Sequence, residues 1–467
     1  MKLCLGIDVA CRAEHVASMA DETGRLVWQQ RRFHTTEADL VSLGDEIDPG
    51  GELTVVLEPT RNAWVPIAAH FLARGHRVVL VPPERSADLR RYYSKHAKTD
   101  GLDSRILARL PLLHPEGLVG LSDLGPAQAL KRAVRRRARL VADRTACHLR
   151  IACLLEMLGP GYLETLGSGD YPKAALAVLA RYGDPRALRR LGKARLVALM
   201  RRASRGAWGD DKAGQLLDAA GEALRLWRDG GLDLDELAWD LASEVRIGAA
   251  IDAELGHLEG RIARLYAEAD PGGIFTSAPS VGPALGPGIL GRLGDARRFG
   301  NLKGVRSFAG LVPTTEQSGT AERRSGITKA GDPGLRRDLY LAADRARRVD
   351  PQLAAKYHRL MTERGVHHTS AVCHVATTLL SRLAACWRKG EWYVLRDVDG
   401  REITEAEGRA IVAERYQVPE EVRAARRRGR KAQRWKGRTG RRKKESTEAA
   451  PALDPSTTKP TEEAIAS

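Results

Sequence analysis

Four acidic residues stand where a folded chain seldom places an acid without a use. Asp8 closes the apolar run LGIDVA, and Glu58 closes a second one, VVLEPT. A carboxylate at the end of a buried run is costly unless a cation or hydrogen-bond donors meet it. Asp100 and Asp103 lie three apart at the start of a helical pattern, which puts both on one face. Four converging carboxylates repel one another, and hard divalent cations relieve that repulsion. All-oxygen ligands suit Mg2+ or Mn2+. Two such ions about 4 Å apart can bind a scissile phosphate, activate the attacking oxygen and stabilise the leaving one. Singly, each acid has a plainer reading: Asp8 as a turn former, Glu58 as an edge residue, Asp100 as the N-cap of the helix carrying Asp103. Jointly, at two strand ends and one helix start, they point to a two-metal site for phosphodiester chemistry.

Positioning these acids takes an α/β unit. Leu3–Val9 reads as a strand, and Asp21–Gly24 as a hairpin turn into a strand over Leu26–Phe33. Helical spacing follows over Leu40–Ile47, a buried strand over Leu53–Leu57, a helix over Trp64–Arg74 and a strand over Arg77–Val81. A further helix, Leu102–Leu110, begins near Asp100. Strands alternating with helices predict a partly parallel sheet. Adjacent parallel strands would then bring the ends carrying Asp8 and Glu58 side by side. The arrangement resembles an RNase H-like nuclease fold of the RuvC-like branch.

Beyond residue 126 the chain becomes helical. Pro126–Leu158 is a helical stretch with a basic patch from Lys131 to Arg139. Residues 160–240 are rich in Ala, Leu and Arg and are broken by glycine-containing turns. A second long helix repeats Ile251, Leu255, Leu258, Ile262 and Leu265 at four and three. That seam fits a bundle core, an antiparallel hairpin or a dimerising coiled coil. Residues 271–395 carry glycine turns and short helices, and Pro279–Gly286 is similar to a helix-hairpin-helix turn, with a plain turn between helices as the equal alternative. Residues 421–444 hold 13 Lys/Arg against one Glu. Little apolar content follows, so the end is expected to be disordered and suited to nonspecific nucleic-acid binding.

The 467 residues carry a formal net charge of +17, which favours a polyanionic partner. Aromatic residues are only 5% of the chain, so phosphate contacts are expected to outweigh base stacking. Six cysteines without a C-x-x-C pair or a His/Cys cluster argue against zinc and a disulfide framework. No apolar run reaches the length of a membrane span and the start lacks signal-peptide anatomy. A reduced cytoplasmic, nucleoid-associated protein is the expectation.

The strings GIDVA, VVLEPT and KTDGLDSRILARL, with SFAGLVPTTEQSGTAERRSGITKAGDPGLRRDLYLAA far downstream, resemble the DEDD transposases of the insertion-sequence 110 family. The likeness covers residues 1–150 and about 270–390. It implies that Asp8, Glu58, Asp100 and Asp103 are the metal-holding quartet, with two Mg2+ or Mn2+ ions. It also implies that Ser318, in QSG, is a nucleophile forming a phosphoserine link to DNA, with Ser325 in RSG as the rival position. A Ser-Gly pair is otherwise an ordinary turn element. No histidine adjoins Ser318 in sequence, so activation would come from metal held by the N-terminal domain, in the same or another subunit. Lys98, Arg323, Arg324, Lys329, Arg336 and Arg337 are the basic residues expected to grip phosphate, with exposed solubilising charge as the alternative.

The resemblance further implies a structured guide RNA encoded by the element, DNA partners at the element ends and target, and a homodimer or homotetramer. The expected layout is a RuvC-like nuclease domain over 1–120 and a helical or coiled-coil connector over 121–270, with an insertion around 160–240. A mainly helical transposase domain follows over 271–395, then a basic tail over 396–467. The alternatives are a hydrolytic RuvC-like nuclease such as a junction resolvase, a related DNA invertase, or a nucleic-acid-binding protein with an inactive nuclease fold.

Overall fold

The computed structural model describes residues 2–44, 52–81, 86, 100–115, 118, 120–121, 124–125, 128–318 and 321–425, with backbone alone at 100–102 and 314–325. By chain contacts it divides into two compact units, 1–271 with 287–298, and 272–286 with 299 onward.

The first unit opens on a five-stranded mixed sheet in the order β3-β2-β1-β4-β5. The strands are β1 (Lys2–Asp8), β2 (His15–Ala20), β3 (Leu26–Phe33), β4 (Glu52–Leu57) and β5 (Arg77–Leu80). β1 runs antiparallel to β2 and parallel to β4, and β4 is parallel to β5. β1 is central and buried on both faces, which explains its unbroken apolar run. Leu3, Leu5 and Ile7 share one core with Leu53, Val55 and Leu57 and with residues of helices α1 (Glu37–Gly44) and α2 (Trp64–Ala73). The opposite face carries helix α3 (Asp100–Leu113), whose Leu107 and Leu110 join Val56, Val79 and Val81 in a second core. The mixed sheet and four of its strands agree with the sequence reading, which gave no range for β2. The first helix begins earlier than the apolar spacing indicates, at Glu37, and residues 45–50 lie outside the described residues.

Two long helices, α4 (Ala129–Glu156) and α10 (Leu234–Ala269), pack along each other. Arg136 meets Glu254, Arg144 meets Asp252 and Arg150 meets Glu244, so rising numbers on α4 face falling numbers on α10. The pair is antiparallel within the chain, as the hairpin reading of the Ile251–Leu265 seam expects. Between them α5 (Pro160–Leu166), α6 (Lys173–Tyr182), α7 (Pro185–Leu191), α8 (Lys193–Ser204) and α9 (Asp210–Leu226) close around their own core. That core includes Tyr162, Leu188, Leu196, Met200 and Leu216, with Ile151 and Leu155 of α4 and Leu237 and Leu241 of α10. The interruption at 160–240 is therefore a packed helical body.

α10 ends at Ala269, and turns occupy the chain until α11 (Gly286–Leu293). No helix directly precedes Pro279–Gly286, so half of the helix-hairpin-helix pattern expected there is missing. The cause is local: Pro271, Gly272, Gly273, Pro279 and Pro283 break helical continuation.

The second unit holds α12 (Leu302–Phe308), a hairpin of β6 (Pro313–Ser318) and β7 (Ala321–Ile327), and the helices α13 (Pro333–Ala346), α14 (Pro351–Thr362), α15 (His368–Lys389) and α16 (Glu405–Arg415). Order continues past 396, where the tail was expected to start. The cause is a capping box at the start of α16, formed by Thr404 and Glu407, and burial of Val418 at 4% exposure. The strongly basic stretch from 426 lies outside the described residues. No described helix is long and apolar enough to cross a membrane, and none of the six cysteines is in a disulfide.

Candidate active site

Strand geometry places two of the four acids. Cα partners along β1 and β4 include Gly6 with Val56 and Ile7 with Leu57, so Asp8 and Glu58 follow at neighbouring parallel strand ends. Side chains alternate along a strand, and Gly6 and Val56 face α3. Asp8 falls on that same face, and Glu58 does so by continuing the alternation. A Cβ at Gly6 would lie 2.1 Å from the Ala108 nitrogen and 2.3 Å from the Ser104 oxygen. The glycine therefore lets the backbone of α3 touch the central strand.

The direction of α3 then places its acidic end. Ser104 Oγ is 2.8 Å from Ser18 Oγ, opposite Gly6, a buried hydroxyl pair that pins the helix to β2. Toward its other end, Arg109 Nε donates to the Gly24 carbonyl at 2.9 Å, at the turn beside the start of β1. α3 consequently runs antiparallel to β1. Asp103, only 7% exposed, and Asp100 at the first helical position lie toward the end of the sheet where Asp8 and Glu58 emerge. The side chain of Asp100 is outside the described residues. Among the described residues, no three His, Cys, Asp or Glu side chains stand close enough to hold a metal ion.

Two supports for this end of the sheet carry no periodic signal in the sequence. Ser86 Oγ, on a residue 4% exposed, donates to Glu58 Oε2 at 2.6 Å, which fixes one carboxylate oxygen and leaves the other for a ligand. His15, 4% exposed, accepts the Ala10 N–H at Nδ1, 3.1 Å, and its Nε2 lies 2.7 Å from Thr35 Oγ1. Because Nδ1 accepts, Nε2 carries the proton of the neutral ring and donates to Thr35. Burial, with a smaller contribution from His34, pushes His15 below the ordinary 6.5. The ring thus fastens the loop that follows Asp8.

In the second unit, Ser318 is the last residue of β6 and pairs with Ala321 across the hairpin end. Ser325 lies in β7 where the register shifts between Pro313 and Thr315. Arg323 pairs with Glu316 and Arg324 with Thr315 along the hairpin backbone. Lys329 is exposed just past β7 with φ 57°, a left-handed turn residue. Arg336 Nη1 donates to the carbonyls of Gly331 at 2.6 Å and Ala309 at 3.4 Å, stitching the base of the hairpin to α12 and α13. Arg337 pairs with the largely buried Asp338 at 2.9 Å and remains half exposed. Lys98 lies outside the described residues.

Comparison with known proteins covers the same two regions. Residues 5–160 match a DEDD-type transposase family, and residues 273–358 match the transposase IS116/IS110/IS902 family. The first match contains all four acids and the second contains Ser318, Ser325 and the basic residues from Arg323 to Arg337. The 43.6 kDa protein of insertion element IS110 from Streptomyces coelicolor is 30% identical over 411 residues, 85% of this chain and 97% of the relative. The 42 kDa protein of IS900 from Mycobacterium paratuberculosis is 29% identical over 409 residues, 84% and 95% of the two chains. The 44.8 kDa protein of IS116 from Streptomyces clavuligerus is 26% identical over 405 residues, 85% and 95%. Likeness over nearly the whole of each relative, from the acidic sheet through the hairpin unit, shows that the chain belongs to the IS110 family of insertion-element transposases.

Proposed function

We propose that this transposase moves its element by site-specific, metal-assisted cleavage and strand transfer of DNA through a serine-linked intermediate. The observation that carries the reading is the placement of Asp8 and Glu58 at adjacent strand ends, with the acidic start of α3 directed to the same end. This mixed sheet with its acids supports an RNase H-like, RuvC-like nuclease unit. Asp8, Glu58, Asp100 and Asp103 offer only carboxylate oxygens, the donor chemistry of Mg2+ or Mn2+, and would hold two ions. When bound, the ions supply charge neutralisation at the scissile phosphate and activation of the attacking oxygen. Ser86 orients Glu58 for that task, and the Gly6 contact holds α3, and Asp103 with it, against the sheet.

Ser318 is the proposed nucleophile. Its Oγ bonds to phosphorus as the bond to one DNA oxygen breaks, and its proton ends on the departing DNA hydroxyl. One phosphodiester replaces another, so rejoining needs no ATP. Of the six basic residues expected to grip phosphate, Lys329 and Arg337 have described, exposed side chains, while Arg336 positions the hairpin. A guide RNA from the element and a dimeric or tetrameric assembly complete the reading, supported by the family resemblance and by the need to hold several DNA ends together.

The test is cleavage of element-end DNA by Asp8→Asn and Asp103→Asn with Mg2+ supplied. Both are expected to lose strand cleavage while keeping the wild-type circular dichroism spectrum. Cleavage retained by both would refute a catalytic quartet. A hydrolytic resolvase would differ in keeping full activity in Ser318→Ala.

A further inference from the structure

The helical insertion contains a basic stretch with no acid in its own sequence. Residues 185–209 contain eight Lys/Arg and no Asp or Glu. Two of these are committed: Arg186 pairs with Asp184 and Asp235, and Arg201 with Asp210. Arg189, Arg190, Lys193, Arg195, Arg202 and Arg205 are all exposed, and none has an ion pair among the described residues. The basic run that stands out in the sequence, Lys131–Arg139, behaves differently. Its Arg136 and Arg137 pair with Glu254 and Glu259 of α10, as Arg144 and Arg150 do further along α4. Much of that charge serves the helix pair, whereas Arg190, Lys193, Arg195, Arg202 and Arg205 are left exposed; Arg189 lies against Gly221 of α9, in a cavity also lined by Glu164, Asp218 and Glu222.

Helix α8 presents its share of this charge as a strip. α8 buries Leu196, Val197 and Met200, and α7 buries Leu188, so both are anchored by one side. On the outer side Arg195, Ala198, Arg202 and Arg205 follow at three, four and three, the spacing of one helical face. Ala194 and Ala198 are exposed and small, leaving the middle of the strip low enough for close approach. From Lys193 to Arg205 the strip measures about 18 Å at 1.5 Å per residue, about five steps of a duplex at 3.4 Å each. Guanidinium groups dominate, and they match phosphate oxygens with paired donors.

We propose that the α7–α8 face of the insertion is a phosphate-gripping surface for duplex DNA, separate from the acidic site and from the hairpin unit. Naming DNA as the partner rests on the transposase reading above. The contacts are to backbone, so the face contributes affinity and orientation without reading sequence.

The experiment compares full-length protein with the exposed-surface variant R190Q/R195Q/R202Q/R205Q. Binding to a random-sequence duplex is measured across a salt series, and unchanged melting of the variant verifies its fold. Each lost phosphate contact flattens the plot of log affinity against log salt by about 0.9, so a change of about two to four is expected. The matching Arg→Lys variant should restore the slope, and Arg409→Gln on α16 should leave it at the wild-type value. A wild-type slope in the Gln variant overturns the surface and leaves the transposase reading standing. Absence of salt-dependent duplex binding by the wild type overturns the assignment of DNA itself. A variant that keeps the duplex slope and loses only structured-RNA binding overturns the DNA assignment in favour of RNA.

Discussion

At the scale of single residues, Asp8 and Glu58 stood out because a carboxylate ending an apolar run breaks a strong pattern, and Asp100 and Asp103 because they lie three apart at a helix start. Their supports did not, because Ser86 and His15 interrupt nothing. Ser86 lies 28 residues from the glutamate it meets, and only the fold brings the two together. Ser86→Ala is expected to lower metal affinity or cleavage by about 10–100-fold, as for other groups that orient a ligand. Metal titration of the cleavage rate checks this, with an unchanged titration as the contrary result. His15 makes a pH prediction. Its folded-state value lies below the ordinary 6.5, so as pH falls through about 6.5 the unfolded chain takes up the proton first. The contribution is therefore complete above that value and is lost on acidification toward the depressed one. Denaturation of wild type and His15→Gln at about pH 7.5 and 5.5 should show a smaller acid loss in the variant.

At the scale of elements, the strands and helices around the acids follow from apolar runs and 3.6-residue spacing. The contact that sets their depth follows from one missing side chain. Gly6→Ala would drive a methyl into the backbone of Ser104, Leu107 and Ala108, so α3 must shift away from β1. A loss of about 1–3 kcal/mol or more is expected from such overpacking, together with loss of cleavage. Equilibrium unfolding measures the first and the DNA assay the second. The β6–β7 hairpin was invisible to pattern reading, since PTTEQS and AERRSGI have no apolar alternation. The second unit also contains a buried polar tie. Asp350, 1% exposed, caps α14 through the Leu353 N–H and accepts from Tyr393 Oη at 2.5 Å and Arg382 Nη1 at 3.2 Å. Asp350→Ala leaves that arginine without its buried carboxylate and should cost about 3–5 kcal/mol, read from the unfolding midpoint.

At the scale of the whole molecule, composition announced a polyanionic partner without saying which surface meets it. The charge-rich α4 is largely bound to α10, where each exposed pair contributes about 1 kcal/mol or less and the apolar seam does most of the holding. The antiparallel sense of that pair could not be read from a seam that suits several assemblies equally. Nor could the helical insertion be recognised as a packed body, because four of its five helices span 12 residues or fewer and their core is shared with both long helices. What joins the acidic sheet and the hairpin unit into one activity is the proposed covalent step. The most direct measurement is to quench a reaction on element-end DNA with denaturant and map the DNA-linked peptide by mass spectrometry. The expected result is a phosphodiester on Ser318, formed by wild type and lost in both Ser318→Ala and Asp8→Asn. An adduct mapped to Ser325, or recombination undiminished in Ser318→Ala, would contradict it.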